Sequence, residues 1–285
     1  MLSRWGATLI ELLVAIALAG IVLAAATSSL FRQQRTSARI GSVARAEAQL
    51  RAATSVLASQ LAFIDEGSGD LAAGAARDTA IQFRATVAVA LACDRSVGAV
   101  TLFPVESGKV PLGGMASEPR PGDSLWFLAD TNWRGARIEA IASVNAVCPA
   151  PGGSTGPTTR LVLAGATDTI PALTPLRVTR PSRFSFYRSA DGSWQLGYRE
   201  WNDASGSFST PQPVAGPFLR SPDGRSSLFR YFDADATEIP PAEIGTSRVA
   251  RIRVITHALA PGRERGQDSV RGDSIDIALQ HARAR

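Results

Sequence analysis

The sequence is short of several residue types. Lys109 is its single lysine, and 285 residues hold only two histidines, two cysteines and two methionines. Two cysteines exclude a disulfide-dense scaffold and a cysteine-rich metal module. His257 and His281 are too few and too separated for a histidine-rich metal site. Neither has an evident Ser or Cys nucleophile with a supporting acid, so no catalytic triad is expected and the chain reads as a non-enzyme. Of the 17 prolines, the first is Pro104. A proline-free first third can hold one long helix, whereas the rest is punctuated like a loop-rich β domain. Charged residues make up 19% against 45% hydrophobic, which excludes a disordered chain.

The formal net charge is +5, carried almost wholly by arginine. A basic balance invites a nucleic-acid reading. The arginines are spread along the chain with Asp and Glu interleaved, so the balance reads as compositional bias rather than a basic patch.

What is present is a long apolar run. Residues 7–31 read ATLIELLVAIALAGIVLAAATSSLF, 25 residues with one charge, Glu11. As a helix this would reach roughly 37 Å, enough to cross a bilayer. A cleaved signal peptide has a shorter apolar core, and here the helical pattern continues beyond it. Glu11 is the informative position, because a carboxylate in the membrane costs about 2.5–3.5 kcal/mol on insertion scales and needs a partner. Beyond the run, Val43, Leu50, Leu57 and Ile64 recur every seven residues, with Ile40 and Leu61 beside them and Glu47 and Thr54 interrupting. So broken a stripe predicts packing against the protein's own sheet rather than a coiled coil.

Gly6-Ala7-Thr8-Leu9-Ile10-Glu11-Leu12-Leu13-Val14-Ala15, behind a short leader carrying Arg4, resembles the prepilin signal of type IV pilins and type II secretion pseudopilins. The resemblance implies cleavage by prepilin peptidase between Gly6 and Ala7, N-methylation of Ala7, and a charge pair between Glu11 and the amine on Ala7 of a neighbouring subunit. The family more often begins its mature chain with Phe or Met, and Ala7 departs from that. Ser227–Asp233, a loop, then Val249–Val254 resembles the end of J-type pseudopilins and PilW-type minor pilins, without the glycine usual soon after the Asp. The implied architecture is α+β and pilin-like. It comprises a leader at 1–6, a transmembrane helix at 7–31, an amphipathic continuation at 32–66 packed on the sheet, and a β-rich extracytoplasmic domain at 67–285. The implied protein is a non-catalytic minor subunit that primes or caps a pilus or secretion pseudopilus. Its partners would be other pilins or pseudopilins, prepilin peptidase and the inner-membrane assembly platform, with no cofactor. Its place would be the bacterial inner membrane, single-pass with a periplasmic domain, and then the filament tip. Arg32, Arg35 and Arg39 after the apolar run argue locally for the opposite orientation; the prepilin motif and the cysteines decide for the exterior. The alternative is a competence-type minor pilin that contacts DNA through clustered arginines, although nucleic acid is not the expected partner.

In an extracytoplasmic domain Cys93 and Cys148 suit a disulfide, the other reading being two buried thiols. Asp233, Asp235 and Glu238 alternate like oxygen ligands for calcium, which some pseudopilins bind. The spacing is short and lacks the rest of an EF-hand loop, so they read as solvated turn acids. Downstream strands are expected from Ile81 to Val89 by alternation, over Leu125–Leu128 as a short buried run, and over 136–148 and 160–164. Further strands are expected over Leu228–Phe232, Val249–Thr256 and Ser274–Leu279, with Arg251 and Arg253 opposite Asp276. The clearest hairpin is Arg183–Glu200, turning at Asp191-Gly192. The helix is expected to end at Gly67–Asp70.

Overall fold

The first structural element follows from the missing prolines. In the computed structural model, which describes residues 9–64, 69–71, 76–104, 114–129, 132–149, 154–165, 169–218, 228–244, 248–260 and 269–279, one α-helix, α1, runs Leu9–Leu61. Its 53 residues correspond to about 80 Å at 1.5 Å per residue. It stops short of the expected Gly67–Asp70. The Ile64 amide bonds back to the Leu61 carbonyl rather than four residues back, which tightens the last turn and lets Ile64 bury.

The rest is strand. In chain order these are β1 (Ala80–Leu91), β2 (Ser96–Val97), β3 (Ala99–Thr101), β4 (Gly114–Met115), β5 (Ser124–Ala129), β6 (Asn132–Cys148), β7 (Ser154–Leu163) and β8 (Thr169–Ile170). They continue as β9 (Pro175–Arg188), β10 (Trp194–Asn202), β11 (Ser207–Phe208), β12 (Gln212–Phe218), β13 (Leu228–Phe232), β14 (Glu238–Ile239), β15 (Arg251–Ala260) and β16 (Ser269–Ala278). The fold class is α+β, a long N-terminal apolar helix followed by a β-rich domain. The chain divides into two compact units, Met1–Ala48 with Ala258–Arg271, and Gln49–His257 with Gly272–Arg285.

In the first unit the apolar stretch of α1 exposes its side chains all round, from Ile10 to Phe31. In the second unit the end of α1 buries Leu50, Ala53, Leu57 and Leu61, with Ile64 just beyond. The spacing of three and four residues is that of one helix face. Ala53 completes the stripe beside Thr54, which interrupts the heptad in sequence; Ile40 stays exposed.

The main sheet is built along β9. On one edge β9 pairs with β1 antiparallel, from Ala80 opposite Ser185 to Leu91 opposite Pro175. On its other edge β10 covers Ser182–Arg188 and β5 covers Leu176–Thr179. The order continues through β6, β7 and β3, with β11 and β12 beside β10. Arg180 and Pro181 therefore lie in a fork between two partner strands, and a proline is tolerated where a ladder is interrupted. The hairpin forms as its sequence predicts. Leu196 stands opposite Phe186 and Tyr198 opposite Phe184. Asp191 Oδ1 accepts the Ser193 amide at 2.9 Å, and Gly192 takes φ +83°, which suits glycine.

Two strand expectations need correction. Alternation puts Val89 inside with Ile81, Phe83, Ala85 and Val87, but a β-bulge between Thr86 and Ala88 shifts the phase. Ala88 and Ala90 are then buried and Val89 faces out, because one extra residue reverses every side chain beyond it. Leu125–Leu128 is not a buried run but an alternating strand, with Leu125 and Phe127 inside and Leu128 exposed. The strands expected at 136–148 and 160–164 are longer. Ser154–Thr158 already pairs with Val144–Cys148.

A second sheet has the order β14-β13-β15-β16. Its Phe229 and Tyr231 are fully buried, and the Tyr231 hydroxyl donates to the Arg77 carbonyl at 3.1 Å. The Phe229 amide bonds to the Asp78 carbonyl. Both bonds fasten this sheet to the entry of β1. Burial pushes the Tyr231 hydroxyl far above its ordinary pKa, so it stays a neutral donor.

Candidate functional site

The residues predicted to process and assemble the chain lie at its start. Gly6 and Ala7 fall outside the described residues. Glu11 is exposed in the first turn of α1, where a carboxylate complements the helix dipole. Behind it Leu12, Leu13, Val14, Ile16, Leu18, Ile21, Val22 and Leu23 all point outward. Within α1 an 18-residue window has mean hydropathy 2.4 and is wholly unburied. By length and composition it is the one helix among the described residues able to cross a membrane. Two hydroxyls in this stretch are satisfied by the helix itself. Thr27 Oγ1 donates to the Leu23 carbonyl at 2.9 Å and Ser28 Oγ to the Ala25 carbonyl at 2.8 Å. An apolar surround tolerates polar groups that are bonded in this way.

Cys93 and Cys148 are joined by a disulfide, with Cα atoms 4.9 Å apart and the partners 55 positions apart in sequence. Both sulfurs sit in a small cluster with Phe103, Leu91 and Ala146. Closing such a loop removes unfolded-chain entropy equivalent to about 4 kcal/mol on the loop-closure model.

The acidic turn does not gather its oxygens. Asp233 Oδ1 accepts the Thr237 amide at 2.8 Å, Glu238 lies 3.8 Å from Arg230, and Asp235 is exposed. Among the described residues no group of three or more His, Cys, Asp or Glu is placed to hold a metal. His281 lies outside the described residues. Arg253 and Asp276 form the expected cross-strand pair, bidentate at 2.6 and 2.8 Å, with Arg251 at 3.7 Å.

Sequence reasoning missed the polar centre of the main sheet. Arg180 is buried in the fork of β9. Its Nε and Nη2 donate to the two oxygens of Asp123 at 2.8 and 2.9 Å, Nη1 donates to Glu200 at 3.0 Å, and Nη2 also meets the Glu118 carbonyl at 3.0 Å. The hydrogen bonds it donates to Asp123 hold this guanidinium above its ordinary pKa against the cost of burial. Arg180 floors a cleft of about 610 Å³ rimmed by Arg120, Trp201 and Asp203. Four hydrogen bonds from Arg180 thus tie β9 to β10, to the entry of β5 and to the Glu118 carbonyl. A second tie was also missed. Arg177 pairs with buried Asp70 at 2.7 Å and donates to Thr86 Oγ1 at 2.9 Å and to the Phe63 carbonyl at 3.4 Å. It locks the end of α1 to β1 and β9. The only sequence signals were an arginine and a proline between apolar residues of a strand. Beside this tie lies a shallow groove of about 540 Å³ lined by Phe63, Val89, Met115 and Trp133.

Compared with protein-family models, with curated proteins and with solved structures, the chain matches none.

Proposed function

We propose that the chain is a non-catalytic minor pilin or pseudopilin subunit, processed after Gly6, that assembles with other minor subunits to prime or cap a type IV pilus or a type II secretion pseudopilus. One observation carries the reading. Glu11 stands in the first turn of a helix whose next twenty residues present apolar side chains on every side. Such a surface suits lipid and the helices of like subunits. A carboxylate at its head suits an ammonium in the same layer, since a charge in an apolar surround is tolerated when paired. The Cys93–Cys148 bridge supports an oxidising location for the β domain, outside the cytoplasm. On this reading the domain is periplasmic, the helix is the inner-membrane anchor, and the partners are other pilins, prepilin peptidase and the assembly platform.

The test has two parts. Amino-terminal sequencing of the protein recovered from membranes is expected to begin at Ala7, or methyl-Ala7. Glu11→Ala is expected to leave membrane insertion intact while cutting co-purification of partner subunits. A chain that keeps residues 1–6, together with undiminished partner recovery in Glu11→Ala, would sink the proposal.

A further inference from the structure

The outer face of the β9–β10 hairpin carries a cluster that the assembly reading does not use. Counting out from the turn, Arg183 of β9 stands directly opposite Arg199 of β10, and Gln82 of β1 stands opposite Arg183 on its other side. Directly opposed side chains share one face with Cβ atoms about 5 Å apart, and like charges so placed repel. Arginine stays protonated throughout the accessible pH range, so the repulsion cannot be relieved by losing a proton. The Nε atoms of both arginines are out of contact with solvent and have no hydrogen-bond partner. One pleat further along β9, Ser185 is 93% buried by its 7% exposure, and its Oγ is also without a partner. Among the described residues neither arginine has an acidic neighbour in ion-pair range, and Arg77 adds a third positive charge nearby, lowering the Arg183 pKa along with burial and Arg199. Gly197, between Ser185 and the β12 side, has no room for a side chain because Tyr187 lies 2.7 Å from where its Cβ would be. The ring walls one end of the cluster.

Donors without an acceptor, gathered where their charges oppose one another, are the chemistry of an anion site. A structural role would pair them, as the same strand pairs Arg180 three residues earlier. We propose that Arg183, Arg199 and Ser185, supported by Arg77, form a binding site for a phosphate group. A tetrahedral oxyanion presents oxygens in several directions at once and can accept from both guanidinium groups and the hydroxyl. Its charge also cancels the repulsion between the two arginines. The site is independent of the pilin reading, since it lies on the β domain and uses neither α1 nor Glu11.

The experiment uses the full chain in detergent at constant ionic strength, with chloride replaced stepwise by inorganic phosphate. Thermal unfolding is followed by tryptophan fluorescence. Wild type is expected to gain stability along a saturable curve. Arg183→Gln and Arg199→Gln are expected to bind phosphate about 10- to 100-fold more weakly, the loss of one charged hydrogen bond. Arg77→Gln, at an exposed position, is a second variant whose folding is not at issue, and it is expected to weaken binding by a smaller factor. A parallel arm measures retention of a short single-stranded oligonucleotide. Saturable stabilisation by inorganic phosphate, lost in the variants, supports the site with a free phosphate. Oligonucleotide retention without a response to inorganic phosphate, lost in the same variants, supports it with a phosphodiester. Responses that are absent in both arms, or equal in wild type and all three variants, overturn it.

Discussion

Two stretches of one hairpin treat the same side chain in opposite ways. In the fork of β9, Arg180 is buried and each of its three nitrogens meets an acceptor, from Asp123, Glu200 and the Glu118 carbonyl. Three residues on, Arg183 faces Arg199, and the Nε atoms of both are left without a partner. The alternation of a strand puts the two arginines on opposite faces. The fork supplies two carboxylates to one face, and the hairpin supplies a second guanidinium to the other. An arginine-rich composition thus conceals two physical roles, one that fastens strands and one that is held open.

The comparison breaks most sharply at Asp123. Asp123→Ala should cost about 3–5 kcal/mol, because it leaves a buried guanidinium uncompensated. Denaturant unfolding measures this, and a loss under 1 kcal/mol would mean that Glu200 and solvent suffice. Adding Arg180→Met to that variant should recover part of the loss, since it removes the buried charge that Asp123→Ala leaves uncompensated. Strict additivity of the two substitutions would show that the pair is not coupled.

On the other face the sign reverses. Arg199→Gln, unfolded in phosphate-free buffer, should be neutral to more stable than wild type by up to about 1 kcal/mol, because it removes a like-charge neighbour. A clear destabilisation would place Arg199 with Arg180 as a structural group.

Smallest is the exposed pair on the second sheet. The hydrogen bonds and charge of Arg253 hold the Asp276 carboxyl below its ordinary range. A depressed folded-state pKa contributes stability above the ordinary Asp value of about 4, which is lost as pH falls through the lower folded value. Solvent screening keeps this under about 1 kcal/mol. Asp276→Asn should therefore flatten the acid limb of stability slightly between about pH 5 and pH 2 and leave neutral pH nearly unchanged.

The same contrast explains what could be read in advance. The long helix was legible because its signals are local: no proline before Pro104 and a sustained apolar run. The hairpin was legible from Asp191-Gly192 and its aromatic arms. Its register was not, since a two-residue turn at Asp191-Gly192 would set Arg183 against Glu200, whereas the strand pairing sets it against Arg199. The fork was not, since Asp123 and Arg180 lie 57 residues apart and meet only because β5 and β10 both end at β9. The bulge at Thr86/Ala88 was not legible either. Alanines at 88 and 90 carry no strong preference for a face, so the pattern kept Val89 inside where one extra residue turned it out. The proposal of a pilin-like subunit rests on the N-terminal motif and on Glu11, with Gly6 and Ala7 outside the described residues.

The disulfide has a consequence for how the chain comes apart. Lys109 is the sole lysine, and it falls between Cys93 and Cys148 in sequence. A lysine-specific protease therefore has one peptide bond to cut, and that bond lies within the covalent loop. The nicked protein migrates as a single species under denaturing conditions until a thiol is added, when it parts into two pieces that divide between Lys109 and Val110. One cut, read with and without reductant, reports the oxidation state of the β domain directly from a cell fraction.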